Sequence, residues 1–331
     1  MDNNSILNQI GNTPLVKLKQ ASEITQCNIY GKAEYCNPGE SIKDRAALFI
    51  IEDAIKNKKI EKGGTIVEGT AGNTGIGLAI VAKEYGLKVK IIIPKTQSSE
   101  KKETLIKYGA ELIEVDAVPY SNPKNYIKQS KIIAEDLGKK EKNGVIWANQ
   151  FDNLINTEAH IKTTAKEIWT QTAGKIDGFT CSVGTGGTLA GVSIGLKSKN
   201  KNIKIALSDP DGSSLYSYIK EGELKNEGNS VTEGIGNGRI TKNFEKALVD
   251  DAFKTSDTEA LNLIFDLIEN QKIILGGSSG INIAGAIKLA KKMGPGHNIV
   301  TILCDNGKRY ASKIFNKEFL KNKNLPIPKW L

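Results

Sequence analysis

From residue 64 to residue 210, short β-branched runs alternate with amphipathic stretches, the pattern of parallel-sheet βαβ units. Thr65-Ile66-Val67, Val89-Lys90-Ile91-Ile92-Ile93, Glu111-Leu112-Ile113-Glu114-Val115, Val145-Ile146-Trp147, Phe179-Thr180-Cys181-Ser182-Val183 and Lys204-Ile205-Ala206-Leu207 predict strands. Helical spacing of apolar residues predicts helices near 73–86, 99–108, 124–138, 156–170 and 188–198. Gly86 and Gly109 fall just past two of these, where a left-handed closing residue is favoured. A helix near 280–292 then leads into a strand at Ile299-Val300-Thr301-Ile302-Leu303. The expected fold is α/β: two doubly wound, mostly parallel sheets flanked by helices, with the active site in the crevice between them. The seam is expected near Gln150 to Asn156, and the Gly- and Ser-rich stretch Asp209 to Asn243 is expected to hold a substrate-facing loop.

With 331 residues, 39% of them hydrophobic, the chain can bury substantial cores. Its net charge of +9 comes almost wholly from lysine, since only Arg45, Arg239 and Arg309 carry guanidinium. The lysines are spread along polar helix faces without interleaved aromatics, which argues against a nucleic-acid partner. Cys27, Cys36, Cys181 and Cys304 form no Cys-x-x-Cys pair, which fits a reducing compartment. The polar start Met1-Asp2-Asn3-Asn4-Ser5 and the lack of a long apolar run predict a cytoplasmic protein with no membrane partner.

Three segments carry the chemistry. Lys43 lies in Ser41-Ile42-Lys43-Asp44-Arg45, where Ser41 and Asp44 resemble a capping box and place Lys43 in a helix's first turn. The macrodipole disfavours a cation there, which suits a lysine engaged in a Schiff base. Gly184-Thr185-Gly186-Gly187-Thr188 follows a strand-like run and opens a helical pattern, so backbone N–H groups converge where a phosphate could rest. No Gly-Lys-Ser/Thr follows, and Leu189 stands where Gly-x-Gly-x-x-Gly needs its last glycine, so a single phosphate fits better than a nucleotide. Thr70-Ala71-Gly72-Asn73-Thr74 repeats the strand-turn-helix logic and presents amide and hydroxyl donors suited to a carboxylate. Gly276-Gly277-Ser278-Ser279-Gly280 precedes a small-residue helix and places a neutral hydroxyl where it could face a pyridine nitrogen, favouring elimination of a β-substituent. His160 and His297 are too isolated for a metal site and read as structural or surface groups. Cys36 reads as a small packing residue with nothing to activate it.

Together these segments resemble the cysteine synthase and cystathionine β-synthase family over essentially the whole chain. The resemblance rests on Ile10-Gly11-Asn12-Thr13-Pro14-Leu15, Asn37 to Arg45, Gly72-Asn73-Thr74-Gly75, Gly184 to Thr188, Gly234-Ile235-Gly236 and Gly276 to Gly280. It implies the tryptophan synthase β-like architecture of fold-type-II pyridoxal-phosphate enzymes. A smaller mobile domain, 46–152, would carry the asparagine loop, and a larger one, 1–45 with 153–331, the phosphate loop and Ser278. It implies pyridoxal 5'-phosphate as cofactor, with Lys43 as its Schiff-base lysine and the acid/base. Asn73 would bond the ring's 3-hydroxyl; Gly184, Thr185, Gly186, Gly187 and Thr188 would hold the phosphate, and Ser278 would meet the ring nitrogen. Thr70, Gly72, Asn73, Thr74 and Gln150 would receive the substrate carboxylate, with Gly234 beside the amino acid. No metal is implied.

The implied reaction replaces the acetoxy group of O-acetyl-L-serine by sulfide in a homodimer, with serine acetyltransferase as a partner of the family. Two other readings are a cystathionine β-synthase-type replacement on serine and a non-catalytic, cofactor-binding regulatory paralogue. Three departures bear on the substrate side: Ala71 stands for the usual Ser, Gln97-Ser98 for Met-Ser, and Arg239 for the Phe that usually follows the Gly-Ile-Gly loop.

Overall fold

The computed structural model describes residues 5–70 and 72–331. In chain order the elements are β1 (Leu15–Lys17), α1 (Lys19–Thr25), β2 (Asn28–Ala33), α2 (Lys43–Lys56), β3 (Thr65–Gly69), α3 (Asn73–Glu84), β4 (Lys88–Pro94) and α4 (Ser99–Lys107). Then come β5 (Glu111–Val115), α5 (Tyr126–Gly138), β6 (Val145–Trp147), α6 (Ile155–Ala159), α7 (Lys166–Gln171), β7 (Gly178–Cys181) and α8 (Gly187–Lys197). The chain finishes with β8 (Lys204–Pro210), α9 (Leu215–Glu221), β9 (Asp251–Thr255), α10 (Asp257–Gln271), α11 (Gly277–Met293), β10 (Asn298–Leu303) and α12 (Lys317–Asn322).

Two compact units result. The first joins the residues through Gly11 to Asn37–Ala159, and the second joins Asn12–Cys36 to His160–Leu331. Lys43, expected with the larger domain, therefore falls in the unit of the asparagine loop. The physical reason is helix packing: a Cβ on Gly77 of α3 would stand 3.1 Å from the Cα of Asp44 in α2. Residues 153–159 belong with this unit as well, because α6 packs on α2.

The sheet of the first unit has the order β5-β4-β3-β6, parallel throughout. Every residue of β3 is buried, as expected of a central strand covered on both faces. From β3 the chain steps to β4 and β5, then returns through α5 to β6 on the other flank of β3. The carboxyl ends of β3 and β6 thus form a topological switch point, where open α/β sheets leave a crevice for ligands. The residues that follow those two ends are Thr70 to Thr74 and Gln150.

The second unit repeats the device with the order β1-β2-β10-β7-β8-β9, parallel except for β1. The chain runs from β7 to β8 and β9, then comes back through α10 and α11 to β10 on the other side of β7. This switch point lies between β7 and β10, and β7 leads directly into Gly184. Asn282 of α11 ties the two strand ends together: its side chain accepts from the Ser182 N–H at 2.7 Å and donates to the Ile302 carbonyl at 2.7 Å. That is why β7 stops at Cys181 instead of running on to Val183.

The predicted strands of the first unit and the helices near 73, 99, 124, 188 and 280 are present, with bounds shifted by up to three residues. Gly86 and Gly109 adopt φ of 64° and 86°. The helix predicted over 156–170 is instead α6, a π-helical turn at His160–Ala165, and α7. Strands β1, β2 and β9 and helices α1, α9, α10 and α12 lie outside the predicted pattern.

Candidate active site

In the first unit Lys43 opens α2, half-buried, with Asp44 and Arg45 buried beside it. The capping box expected of Ser41 and Asp44 does not form. Ser41 Oγ accepts from the Lys43 N–H at 3.3 Å, but the Asp44 carboxylate turns back to the Gly39 N–H. The turn before Lys43 is further pinned by Asn37, whose side-chain oxygen accepts from the Gly11 N–H at 2.8 Å. Gly39 has no room for a side chain, since its Cβ would lie 2.3 Å from Asp44 Oδ1. The lysine thus projects from a rigid turn.

The asparagine loop sits at the end of β3. Thr70 is buried and its hydroxyl accepts from the Gly72 N–H at 3.1 Å. Gly72, at φ +139°, precedes α3 and is pressed against Lys101, whose Cδ would be 2.8 Å from an added Cβ. Ala71 lies outside the described residues. Asn73 is half-buried at the first position of α3, and the Thr74 hydroxyl donates to Gln150 Oε1 at 2.5 Å. Four of the residues expected at the substrate carboxylate, Thr70, Gly72, Thr74 and Gln150, are therefore joined by hydrogen bonds or chain continuity.

Glu68, one residue before the end of β3, is 1% exposed and was not anticipated. Its Oε1 accepts from the Gln150 N–H at 3.3 Å. Burial pushes its pKa up from 4.5 to about 8, against the opposing pull of the Gln150 and Asn149 N–H groups. The folded protein thus keeps a proton that the unfolded chain releases above its ordinary carboxyl pKa of 4.5. Its contribution to stability is complete below that value and is lost as pH rises through the folded value of about 8. Thermal melts should show stability falling by roughly 1 kcal/mol per pH unit across this window, and a flatter profile for Glu68→Gln.

In the second unit Gly186 (φ +91°) precedes α8, and no side chain caps the helix. Apart from the Gly187 N–H, which donates weakly to Thr185 Oγ1 at 3.4 Å, no side chain covers the first-turn amides, which suits an anion. Gly184 abuts the Gly-Ile-Gly loop so closely that a Cβ would meet the Gly234 carbonyl oxygen at 2.2 Å. The Gly236 N–H donates to the Val183 carbonyl at 2.9 Å and Asn237 Nδ2 to the Gly184 carbonyl at 2.7 Å. Two separately predicted loops are thus brought together here. Thr241 supports them from behind, its hydroxyl donating to the Thr185 carbonyl at 2.7 Å.

Thr188 lies 3.2 Å from His160 Nε2, and His160 Nδ1 is 2.9 Å from Thr164 Oγ1. His160 is a structural group, as expected, but a buried one in contact with a predicted site residue. Its place at the start of the π-helical turn carries no short-range sequence signal. Cys36 is exposed rather than packed, and burial followed by the Glu34 charge moves its thiol pKa upward, away from activation.

Ser278 is buried in the first turn of α11, a helix that also starts from a glycine, Gly276, without a side-chain cap. A Cβ on Gly276 would meet Asp305 Oδ1 at 2.3 Å, and Tyr310 donates to the other Asp305 oxygen at 2.6 Å. Helices α3, α8 and α11 thus begin at Gly72, Gly186 and Gly276 with their amides uncapped. A side-chain cap is present on α5, α10 and α12 and lacking on α1, α2, α4, α7 and α9 as well, so what sets these three helices apart is glycine at the N-cap. Glycine openings with tight backbone approach fit a phosphate and a carboxylate better than bulky or cationic ligands.

A family model described as pyridoxal-phosphate dependent enzyme matches residues 6–305, and the chain belongs to that family. Pyridoxal phosphate is its cofactor, and the glycine-led opening of α8 suits that group's phosphate. The chain is similar to cysteine synthase 1 of Emericella nidulans, with 47% identity over 335 residues covering 99% of this chain and 89% of the relative. It is 43% identical to cysteine synthase of Dictyostelium discoideum, over 98% of this chain and 87% of the relative. Among solved structures it is similar to the O-acetylserine dependent cystathionine β-synthase from Helicobacter pylori, at a TM-score of 0.85 and 32% identity, covering 95% and 98% of the two chains.

Proposed function

We propose that the protein is a cysteine synthase, replacing the acetoxy group of O-acetyl-L-serine by sulfide to give L-cysteine and acetate. The observation that carries this reading is the near full-length identity of 47% to a cysteine synthase, in a chain that keeps an amine at the mouth of α2 and three glycine-led helix openings. When bound, pyridoxal phosphate supplies an aldehyde for the amino group and a ring that withdraws electrons from the α-carbon. The protein's share is orientation and proton transfer.

Lys43 Nζ would hold the aldehyde carbon of the cofactor and, as a free amine, would take the α-proton of the substrate and return it. Gly184, Thr185, Gly186, Gly187 and Thr188 hold the phosphate, Asn73 the 3-hydroxyl, and Ser278 the ring nitrogen. A neutral hydroxyl at that nitrogen does little to stabilise a protonated ring, which favours loss of a β-substituent over prolonged carbanion chemistry. Thr70, Gly72, Asn73, Thr74 and Gln150 receive the α-carboxylate, with Gly234 alongside. None of the four cysteines forms a disulfide, which supports a reducing, cytoplasmic setting, and the family resemblance supports a homodimer.

Purified holoenzyme with O-acetylserine and sulfide should form L-cysteine and acetate in equal amounts, while serine with homocysteine should give little product. O-acetylserine should shift the visible absorbance of the bound cofactor, and sulfide should restore it. Turnover of serine with homocysteine and none of O-acetylserine would replace this reading with the cystathionine one. A cofactor spectrum that no amino acid alters would make the protein non-catalytic.

A further inference from the structure

Gln150 lies three residues beyond β6, away in sequence from Thr70 to Thr74, so its side chain must be held by groups from elsewhere in the chain. Two groups do. On one side the Thr74 hydroxyl donates to Oε1 at 2.5 Å. On the other lies Glu68, whose Oε1 takes the Gln150 backbone N–H at 3.3 Å and whose carboxyl is also faced by the Gln150 side-chain amide and the Asn149 N–H. The turn they hold is unusual: Asn149 adopts φ +48°, and Asn156 Nδ2 donates to the Gln150 carbonyl at 2.9 Å.

Glu68 is an expensive residue at this position. It occupies a wholly buried strand, and among the described residues its Oε2 and the Asn149 Oδ1 are buried without a hydrogen-bond partner. Burying a carboxyl this way is costly, and an apolar residue of like size would avoid that cost only by leaving the Asn149 and Gln150 N–H groups without their acceptor. What an apolar residue could not do is orient an amide. With an acceptor on one flank and a hydroxyl donor on the other, the two ends of the Gln150 amide become distinguishable.

We propose that Glu68 is a positioning residue that fixes the Gln150 side chain, oxygen toward Thr74 and nitrogen toward the acid, so that Gln150 presents an N–H to the α-carboxylate of the amino-acid substrate. This rests on the reading above that Gln150 receives that carboxylate. The contact is made equally in ground and transition states, so its loss raises KM and leaves kcat nearly unchanged.

Glu68→Met fills the same volume without oxygens, and Glu68→Gln keeps one acceptor for the Asn149 and Gln150 amides. In the holoenzyme, Glu68→Met should raise KM for O-acetylserine about tenfold or more with kcat within about threefold, and Glu68→Gln should recover most of that loss. The equilibrium dissociation constant for L-cysteine, read from the cofactor's absorbance, should rise in parallel in Glu68→Met. An unchanged KM and L-cysteine affinity in Glu68→Met overturns the proposal, as does a loss confined to kcat or to thermal stability. If the wild-type protein fails to turn over O-acetylserine, the cysteine synthase reading falls. The L-cysteine titration still tests Glu68, because it needs only a bound amino acid.

Discussion

Replacing Lys43 with alanine should lower turnover of O-acetylserine and sulfide by at least ~10³-fold, because in the proposed function both the covalent hold on the cofactor and the proton shuttle depend on one amine. The structure makes this a clean experiment. Lys43 is half-buried at the first position of α2, where alanine is a good helix former, and no side-chain cap of the helix is lost with it. The turn before it is held by Asn37, Gly39 and Asp44 instead. The variant should therefore melt close to the wild type in its cofactor-free form, while pyridoxal phosphate washes out on gel filtration and the protein loses its visible colour. A Lys43→Ala variant that keeps a tenth of the activity would remove this residue from both roles.

Losing the amine and losing the phosphate cradle should look different, since only the second disturbs a packed backbone. The phosphate loop is built where β7 ends and the chain reverses its direction of travel across the sheet. The asparagine loop is built at the equivalent point after β3. Each switch point is an ordinary consequence of winding a parallel sheet both ways from one strand. What the sequence adds is glycine at the helix openings, which leaves amides uncovered, and hydroxyls nearby.

This explains which parts were readable in the residues. The parallel strands announce themselves as β-branched runs because both faces are covered, as in Thr65–Gly69 and Lys88–Pro94. The glycine turns announce themselves because few other residues fit them. Strand β2 does not, since Gly31 and Lys32 interrupt its apolar run. Gly31 is there because a Cβ would lie 2.5 Å from Leu303 Cγ. Lys32, 0% exposed, is satisfied by Glu167 at 2.6 Å and Gln171 at 3.0 Å, partners more than 130 residues away. Long-range pairing of that kind leaves no local pattern. Glu68 and His160 were hidden for the same reason, as their partners lie 82 and 28 residues on. Helix α10 does carry a local signal: Ser256 and Glu259 have the spacing of a capping box, and Ser256 Oγ accepts from the Glu259 N–H at 3.3 Å.

Gly186→Ala should damage the protein in two ways at once, through backbone strain and through overpacking. At φ +91° an L-residue is strained by about 1–2 kcal/mol. The added Cβ would also stand 2.6 Å from the backbone nitrogen of Phe244 and 2.7 Å from its Cα. That backbone has little freedom to withdraw, because the Phe244 N–H donates to Thr241 Oγ1 at 3.0 Å and Thr241 in turn holds the Thr185 carbonyl at 2.7 Å. Overpacking against a fixed neighbour adds about 1–3 kcal/mol, so the variant should lose roughly 3 kcal/mol and melt at least ~5 °C lower. Any shift that relieves the clash moves the first turn of α8, so affinity for pyridoxal phosphate should fall by about tenfold or more. Gly238→Ala is the matched control: it lies in the neighbouring loop with nothing within 4 Å of the added methyl, and it should melt like the wild type. Equal melting temperatures and cofactor affinities for the two variants would show that the close approach of Gly186 to Phe244 carries no weight in holding the phosphate.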